Sequence, residues 1–260
     1  MKTLNPASAN KTGTLEWAVK NVNILTGCSH NCRYCYARAM AMRFGRCGDW
    51  AKPAVRSEEV TRNRYRASGR IMFPSTHDIE PEFLEPCITV LGKLLAAGNN
   101  VLFVSKPHLE CIERICADFG HYRQRLLFRF SIGTFDNSIL KFWEPGAPSY
   151  EERLACLRHA FDAGFQTSVS AEPMLDMPHA VELFYRLVPF VTDTIWIGKM
   201  NRPRNCVKDW RPIDAEIRQI EANQTDDKIL AIYETLKGEP KVAWKDSIKK
   251  VIEGARFHST

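Results

Sequence analysis

The chain has 260 residues, 45% of them hydrophobic and 25% charged, with a formal net charge of +6. That length suits one large α/β domain with a full core, and the composition excludes a disordered or collagen-like chain. No window approaches the ~18 uninterrupted apolar residues of a membrane helix. The first twenty residues are too polar and mixed for a signal peptide, so a cytoplasmic location with no membrane contact is expected, where nine cysteines need not pair.

Along the chain, short β-rich runs alternate with amphipathic stretches of helical length. Strands are predicted at Val22–Thr26, Ile71–Pro74, Val101–Ser105, Leu126–Ile132, Gln166–Ala171 and Thr194–Gly198. Helices are predicted between them at Arg33–Phe44, Glu82–Ala97, His108–Phe119, Tyr150–Ala163 and His179–Val188. In the second of these, Phe83, Leu84, Cys87, Ile88, Leu91, Leu94 and Leu95 recur at three-and-four spacing, the mark of one buried helix face. Two more helices, Asp226–Leu236 and Trp244–Ile252, are predicted in the tail. Repeated strand–helix units imply a parallel sheet with right-handed crossovers. Six units are too few to close an eight-stranded barrel. The expected fold class is therefore α/β, a partial (βα)6 TIM-like barrel with a C-terminal helical extension. The expected layout is an N-terminal extension over 1–21, the barrel core over 22–213, and the helical extension of the same domain over 214–260.

In such a barrel, ligands gather where the strands end. The run Gly27-Cys28-Ser29-His30-Asn31-Cys32-Arg33-Tyr34-Cys35-Tyr36 follows the first predicted strand. Its C-x₃-C-x₂-C spacing offers three thiolates from one loop. Four thiolates normally hold a [4Fe–4S] cluster, so a triplet leaves one iron open for another ligand. Two other readings remain: a zinc site, which would want a fourth ligand and could recruit His30, and three inert buried thiols. The other cysteines (Cys47, Cys87, Cys111, Cys116, Cys156 and Cys206) are scattered and read as small buried hydrophobes. Further strand ends carry Ser75-Thr76-His77-Asp78, Lys106, Arg129 with Ser131, Glu172, and Met200. Lys106 is a point charge suited to a co-substrate carboxylate.

The cysteine run, with Tyr34 just before the third cysteine, resembles the radical S-adenosylmethionine (radical SAM) superfamily. With Ser105-Lys106 and Phe128-Arg129-Phe130-Ser131-Ile132 added, the chain is most similar within it to spore photoproduct lyase and its DNA-repair-lyase-like relatives. The resemblance implies a [4Fe–4S] cluster on Cys28, Cys32 and Cys35, with SAM on the open iron. Reductive cleavage of SAM would then give methionine and a 5′-deoxyadenosyl radical that takes hydrogen from a substrate. The electron would come from an external donor of the flavodoxin or ferredoxin type. The resemblance further implies SAM contacts at Lys106 and Ser131, ribose contacts over Thr76, His77 and Asp78, and hydrogen-transfer roles for Tyr34 and Tyr36. Tyr34 is also expected against the cofactor, as are Glu172 and Met200 at their strand ends.

One departure concerns the final hydrogen donor. The lyase group has a cysteine where this chain has Ser75, and a hydroxyl O–H bond is too strong to serve in the same way. Cys206 is the candidate substitute. Residues 33–70 carry ten basic residues against three acidic ones, and 199–211 carry Lys199, Arg202, Arg204, Lys208 and Arg211 around Trp210. Both segments suit a nucleic-acid or nucleotide substrate. The alternatives are a peptide or small-molecule substrate, or a non-catalytic Fe–S or zinc interaction protein.

Overall fold

Alternation within the strands decides which side chains face inward. The computed structural model describes residues 13–207 and 211–257. Seven strands form one sheet: β1 (Lys20–Asn21), β4 (Ile71–Phe73), β5 (Val101–Ser105), β6 (Leu126–Ser131), β7 (Gln166–Ala171), β8 (Ile195–Ile197) and β9 (Val242–Trp244). They lie in that spatial order, and each neighbouring pair is parallel. One residue set (Ile71, Phe73, Val101, Phe103, Leu126, Phe128, Phe130) joins the main core beneath the helices, and the alternate set (Met72, Leu102, Leu127) forms a small inner cluster with Ala18. The sheet thus has two buried faces and curls into a partial barrel. Strands β1 and β9 end the order unpaired with each other, so the barrel is open.

The helices are α1 (Tyr36–Arg43), α2 (Ser57–Thr61), α3 (Leu84–Ala96), α4 (Leu109–Phe119), α5 (Asn137–Trp143), α6 (Tyr150–Asp162), α7 (Ala180–Leu187), α8 (Pro203–Cys206), α9 (Asp214–Asn223), α10 (Asp226–Leu236) and α11 (Asp246–Phe257). Helix α3 buries Cys87, Val90, Leu91, Leu94 and Leu95, close to the face read from its spacing.

Two expectations fail in register. The run Val22–Thr26 is not one strand. Its barrel ladder is at Lys20–Asn21 and stops where Val22 N–H donates to Met72 O at 2.9 Å. Asn23 then turns its amide onto the β4 end, where Oδ1 accepts from Ser75 N at 2.7 Å and Thr76 N at 2.9 Å. Leu25–Thr26 becomes β2, which pairs antiparallel with β3 (Ala54–Val55). The second failure is in the tail, where Val242–Trp244 adds a seventh parallel strand beside β8 and the last helix starts only at Asp246. Three residues flanked by lysines carry too little pattern to reveal a strand.

The gap between the sheet edges is bridged from the N-terminal side. Lys245, just after β9, pairs with Glu16 at 2.7 Å and donates to Gly13 O at 3.3 Å, and its ammonium lies 4.2 Å from the Trp17 ring centroid. Trp17 also stacks on the buried guanidinium of Arg129 at 4.7 Å. Arg129, noted at a strand end in the sequence, therefore belongs to the barrel floor. Its Nε donates to Ser168 Oγ at 2.9 Å, and its Nη2 pairs with Asp193 at 3.2 Å.

Candidate functional site

The cysteine loop is held from three sides. Gly27 has φ +100°, and a Cβ there would lie 2.8 Å from Trp50 O, so only glycine fits. Cys28 N–H donates to that same Trp50 O at 2.9 Å. Glu80 accepts from Ser29 N at 3.1 Å and from the Ser29 hydroxyl. Beyond α5, Arg33 N–H donates to Trp143 O at 2.8 Å and Gly146 N–H to His30 O at 3.1 Å. A Cβ on Gly146 would collide with Ser29 O. Gly146→Ala is therefore expected to displace the loop and cost ~1–3 kcal/mol, read as a lower thermal midpoint. Gly48→Ala, with open space around it, is the control that should stay within about 0.5 kcal/mol.

All thirteen site residues read from the sequence line one cavity of about 810 Å³: Cys28, Cys32, Cys35, Tyr34, Tyr36, Thr76, His77, Asp78, Lys106, Ser131, Glu172, Met200 and Cys206. Asp78 is its most heavily engaged member. Oδ1 accepts from Lys106 N at 2.6 Å and Ser105 Oγ at 3.0 Å, while Oδ2 lies 2.9 Å from His30 Nδ1 and 3.2 Å from Lys106 Nζ. Burial alone would raise the Asp78 pKa, but Lys106 and His30 hold it well below the carboxylate range. Burial alone would likewise lower that of Lys106, and Asp78 more than offsets it. The pair is therefore ionised at neutral pH.

His77 is committed on both ring nitrogens: Nε2 accepts from Ile24 N at 3.1 Å and Nδ1 meets Asp78 O at 2.8 Å. Burial pulls its pKa down to about 4, so it is neutral. Thr76 and Ser131 leave hydroxyls on the cavity wall. Glu172 lies 3.4 Å from Lys245 Nζ. Met200 is fixed by paired backbone bonds to the Gln224 amide at 3.0 and 2.9 Å. Cys206 Sγ donates to Asn201 O at 3.4 Å.

The two tyrosines part company. Tyr36 OH donates to Ser75 O at 2.5 Å at the cavity mouth. The Tyr34 phenol donates to Glu144, which pairs with the fully buried Arg153 at 2.5 Å. Glu144 and Arg153 escaped the sequence reading because they lie more than a hundred residues from the loop and in no local motif. His108, whose Nε2 is 2.9 Å from His30 Nε2, also escaped it, since its position opening a predicted helix gives no sign of a partner 78 residues away.

The donor chemistry decides between metal groups. Cys28, His30 and Asp78 present ligand atoms within 4.8 Å of one another. Both His30 nitrogens already have partners, however, and the Lys106 ammonium occupies the charge of Asp78, so a lone cation fits poorly there. The three thiols suit a cluster better. Burial raises the pKa of each, that of Cys32 to about 12, so only a strongly cationic group would hold them as thiolates. Trp50, in one small buried cluster with Cys28, keeps a buried indole N–H without a partner among the described residues.

Fold and site together describe an open α/β barrel with a thiol-rich loop at its mouth. A family model of the radical SAM superfamily matches residues 22–176, more than half of the chain, and the protein belongs to that superfamily. Members of the superfamily use a [4Fe–4S] cluster and SAM. Two uncharacterized relatives are similar in sequence. One, from Acidianus two-tailed virus, is 28% identical over 172 residues, covering 61% of this chain and 56% of the relative. The other, from Methanocaldococcus jannaschii, is 23% identical over 173 residues, covering 63% and 62%. The chain thus spans less than two thirds of either relative's length. Among solved structures, a spore photoproduct lyase complexed with dinucleoside spore photoproduct aligns with a TM-score of 0.52 at 16% identity, covering 86% of this chain and 75% of the lyase. A mutant of that lyase aligns at 0.55 and 17% identity, covering 94% and 79%. These likenesses share the fold.

Proposed function

We propose that the chain is a radical SAM enzyme in which Cys28, Cys32 and Cys35 hold the cluster and the same cavity takes SAM. The observation that carries the reading is the convergence of three loop thiols and the polar ends of five strands on one cavity. When bound, cluster and SAM supply a 5′-deoxyadenosyl radical upon one-electron reduction. The chain's residues bind, orient and exclude water. Lys106, locked on Asp78, provides a fixed cation for the SAM carboxylate, and Thr76 and Ser131 provide hydroxyls for polar contacts. Anaerobic reconstitution with iron and sulfide, followed by dithionite and SAM, should yield 5′-deoxyadenosine. Iron-free, inactive protein would refute the reading and favour a non-catalytic binding protein.

The substrate we favour is a nucleic acid or nucleotide. Helix α1 carries Tyr36, Met40 and Phe44 on one flank, 52%, 49% and 53% exposed, running outward from the cavity mouth. The Arg43 and Arg46 guanidiniums lie 5.7 and 5.1 Å from the Phe44 ring. Neither guanidinium has an ion pair among the described residues, and exposed aromatics beside such cations suit stacked bases and phosphates. The second basic segment supports this less. Arg204 pairs with Asp214 and Glu221, Lys199 lies 3.7 Å from Asp226, and Lys208 and Trp210 fall outside the described residues. A peptide or small-molecule substrate is favoured by one observation: the Ser75 hydroxyl accepts from the Asn23 amide at 3.0 Å, at the position where the lyase group has its donor thiol.

Cys206 is our candidate donor. Burial raises its pKa, so it keeps the S–H bond at neutral pH. That bond would break as a C–H bond forms on the substrate, and the thiyl would be restored by one electron from the external reductant and a proton from solvent. Substrate-free SAM cleavage in D₂O should give deuterated 5′-deoxyadenosine in the wild type. Most of the label should vanish in Cys206→Ala and persist in Tyr36→Phe. Unchanged labelling in Cys206→Ala would remove Cys206 from the reaction.

A further inference from the structure

Helix α1 has two flanks, and only one faces the substrate cavity. At about 100° per residue, its buried Ala37 and Ala41 lie between the Tyr36–Met40–Phe44 stripe and a second stripe of Arg38 and Met42. The second stripe lines a separate groove of about 540 Å³ behind the cysteine loop. Asn31 and Arg33, the loop residues on either side of Cys32, form its floor, and Asp49 and Trp50 stand opposite. Trp50 lines both the groove and the cavity, so the two spaces share it as a boundary residue.

The groove is electropositive. Arg33 donates to Phe142 O at 2.7 Å, and Arg38 donates to Asn31 Oδ1 at 2.8 Å and Arg33 O at 3.0 Å. Neither guanidinium meets a carboxylate among the described residues. The groove's own acid, Asp49, is shared with the exposed Lys52 at 3.6 Å. Met42 adds an exposed apolar contact surface.

Resting on the function proposed above, we propose that this groove is the docking site of a small acidic one-electron donor protein. Substrate and SAM enter through the cavity, so a donor protein needs another approach to the same thiols, and the groove shares Trp50 with the cavity and Asn31 and Arg33 with the cysteine loop. Arg33 and Arg38, which meet no carboxylate among the described residues, attract and orient an acidic surface, while Met42 and Trp50 allow close contact. One electron leaves the donor, which is oxidised by one, and enters the group held by Cys28, Cys32 and Cys35. The two flanks of α1 then divide the labour, substrate on one side and electrons on the other.

The test uses reconstituted holoenzyme and a purified flavodoxin as the acidic donor, with binding measured by fluorescence anisotropy at low salt. Lys52→Glu with Met42→Glu should weaken binding about tenfold, and Asp49→Lys should tighten it about threefold. Both effects should shrink as salt is raised. Flavodoxin-driven 5′-deoxyadenosine formation should follow the affinity, while dithionite-driven formation stays at the wild-type level. Loss of the dithionite reaction in the wild type would sink the enzymatic reading itself. With that reaction intact, unchanged flavodoxin affinity in both variants would overturn the docking site alone. So would variants that lose retention on a single-stranded oligonucleotide while binding flavodoxin normally, since the groove would then be a nucleic-acid surface.

Discussion

Cys32→Ala should leave the barrel folded and bring 5′-deoxyadenosine formation to background. Iron retained after anaerobic reconstitution should fall far below the ~4 atoms per chain of a [4Fe–4S] cluster. Cys32 is buried and lines the cavity with the other two loop thiols, and among the described residues no backbone hydrogen bond ends on its sulfur. On the proposed reading, removing it deletes a ligand without deleting a support. The control is Cys87→Ala in α3, an equally buried thiol in the main core and outside the cavity. That variant should keep its iron and its activity and lose only ~1 kcal/mol of stability. Iron content that is normal in Cys32→Ala would show that the metal, if bound, sits elsewhere.

The largest effect on stability is expected at Arg153. Its guanidinium is fully buried, pairs with buried Glu144 at 2.5 Å, and donates to Pro148 O at 2.9 Å and Ser131 O at 3.1 Å. Arg153→Met leaves a carboxylate uncompensated in the core, which typically costs ~3–5 kcal/mol. Adding Glu144→Gln removes the stranded charge yet still offers an oxygen to the Tyr34 phenol. The double variant should regain about half or more of the loss in urea unfolding midpoints. If it is no better than Arg153→Met, the guanidinium acts through its carbonyl contacts instead. The same pair supports Tyr34, so the single variant should also loosen the loop between the second and third cysteines.

Most of the barrel was legible because its signals are local. Strands β5 and β6 are mostly apolar runs bounded by turns, β7 follows the Gly164 stop of α6 and carries small, β-branched and hydroxyl residues, and α3, α4 and α6 each repeat a buried face. Those elements fall within a residue or two of where the pattern placed them. The short elements were not legible. Strands β1 and β9 contain two and three residues, and what makes them strands is the neighbour they pair with. Helix α9 hid in a segment with only two buried positions, Ile217 and Ile220. The site divides in the same way. The cysteines announce themselves by spacing, and Lys106 and Asp78 by sitting at strand ends. Glu80, Glu144 and Arg153 support the loop from distant parts of the chain, and no periodicity encodes a partner that far away.

The clasp at Lys245 sets an order of assembly. Its bond to Gly13 O joins residues 232 apart in sequence. Contacts of such span close late, because the intervening chain must already be arranged. On a ribosome, Glu16 waits for its ammonium until residue 245 has emerged, long after the cysteine loop and its supports have been made. A nascent chain therefore passes through a stage in which the flank of the cavity still stands open, and the two edges are buttoned together last.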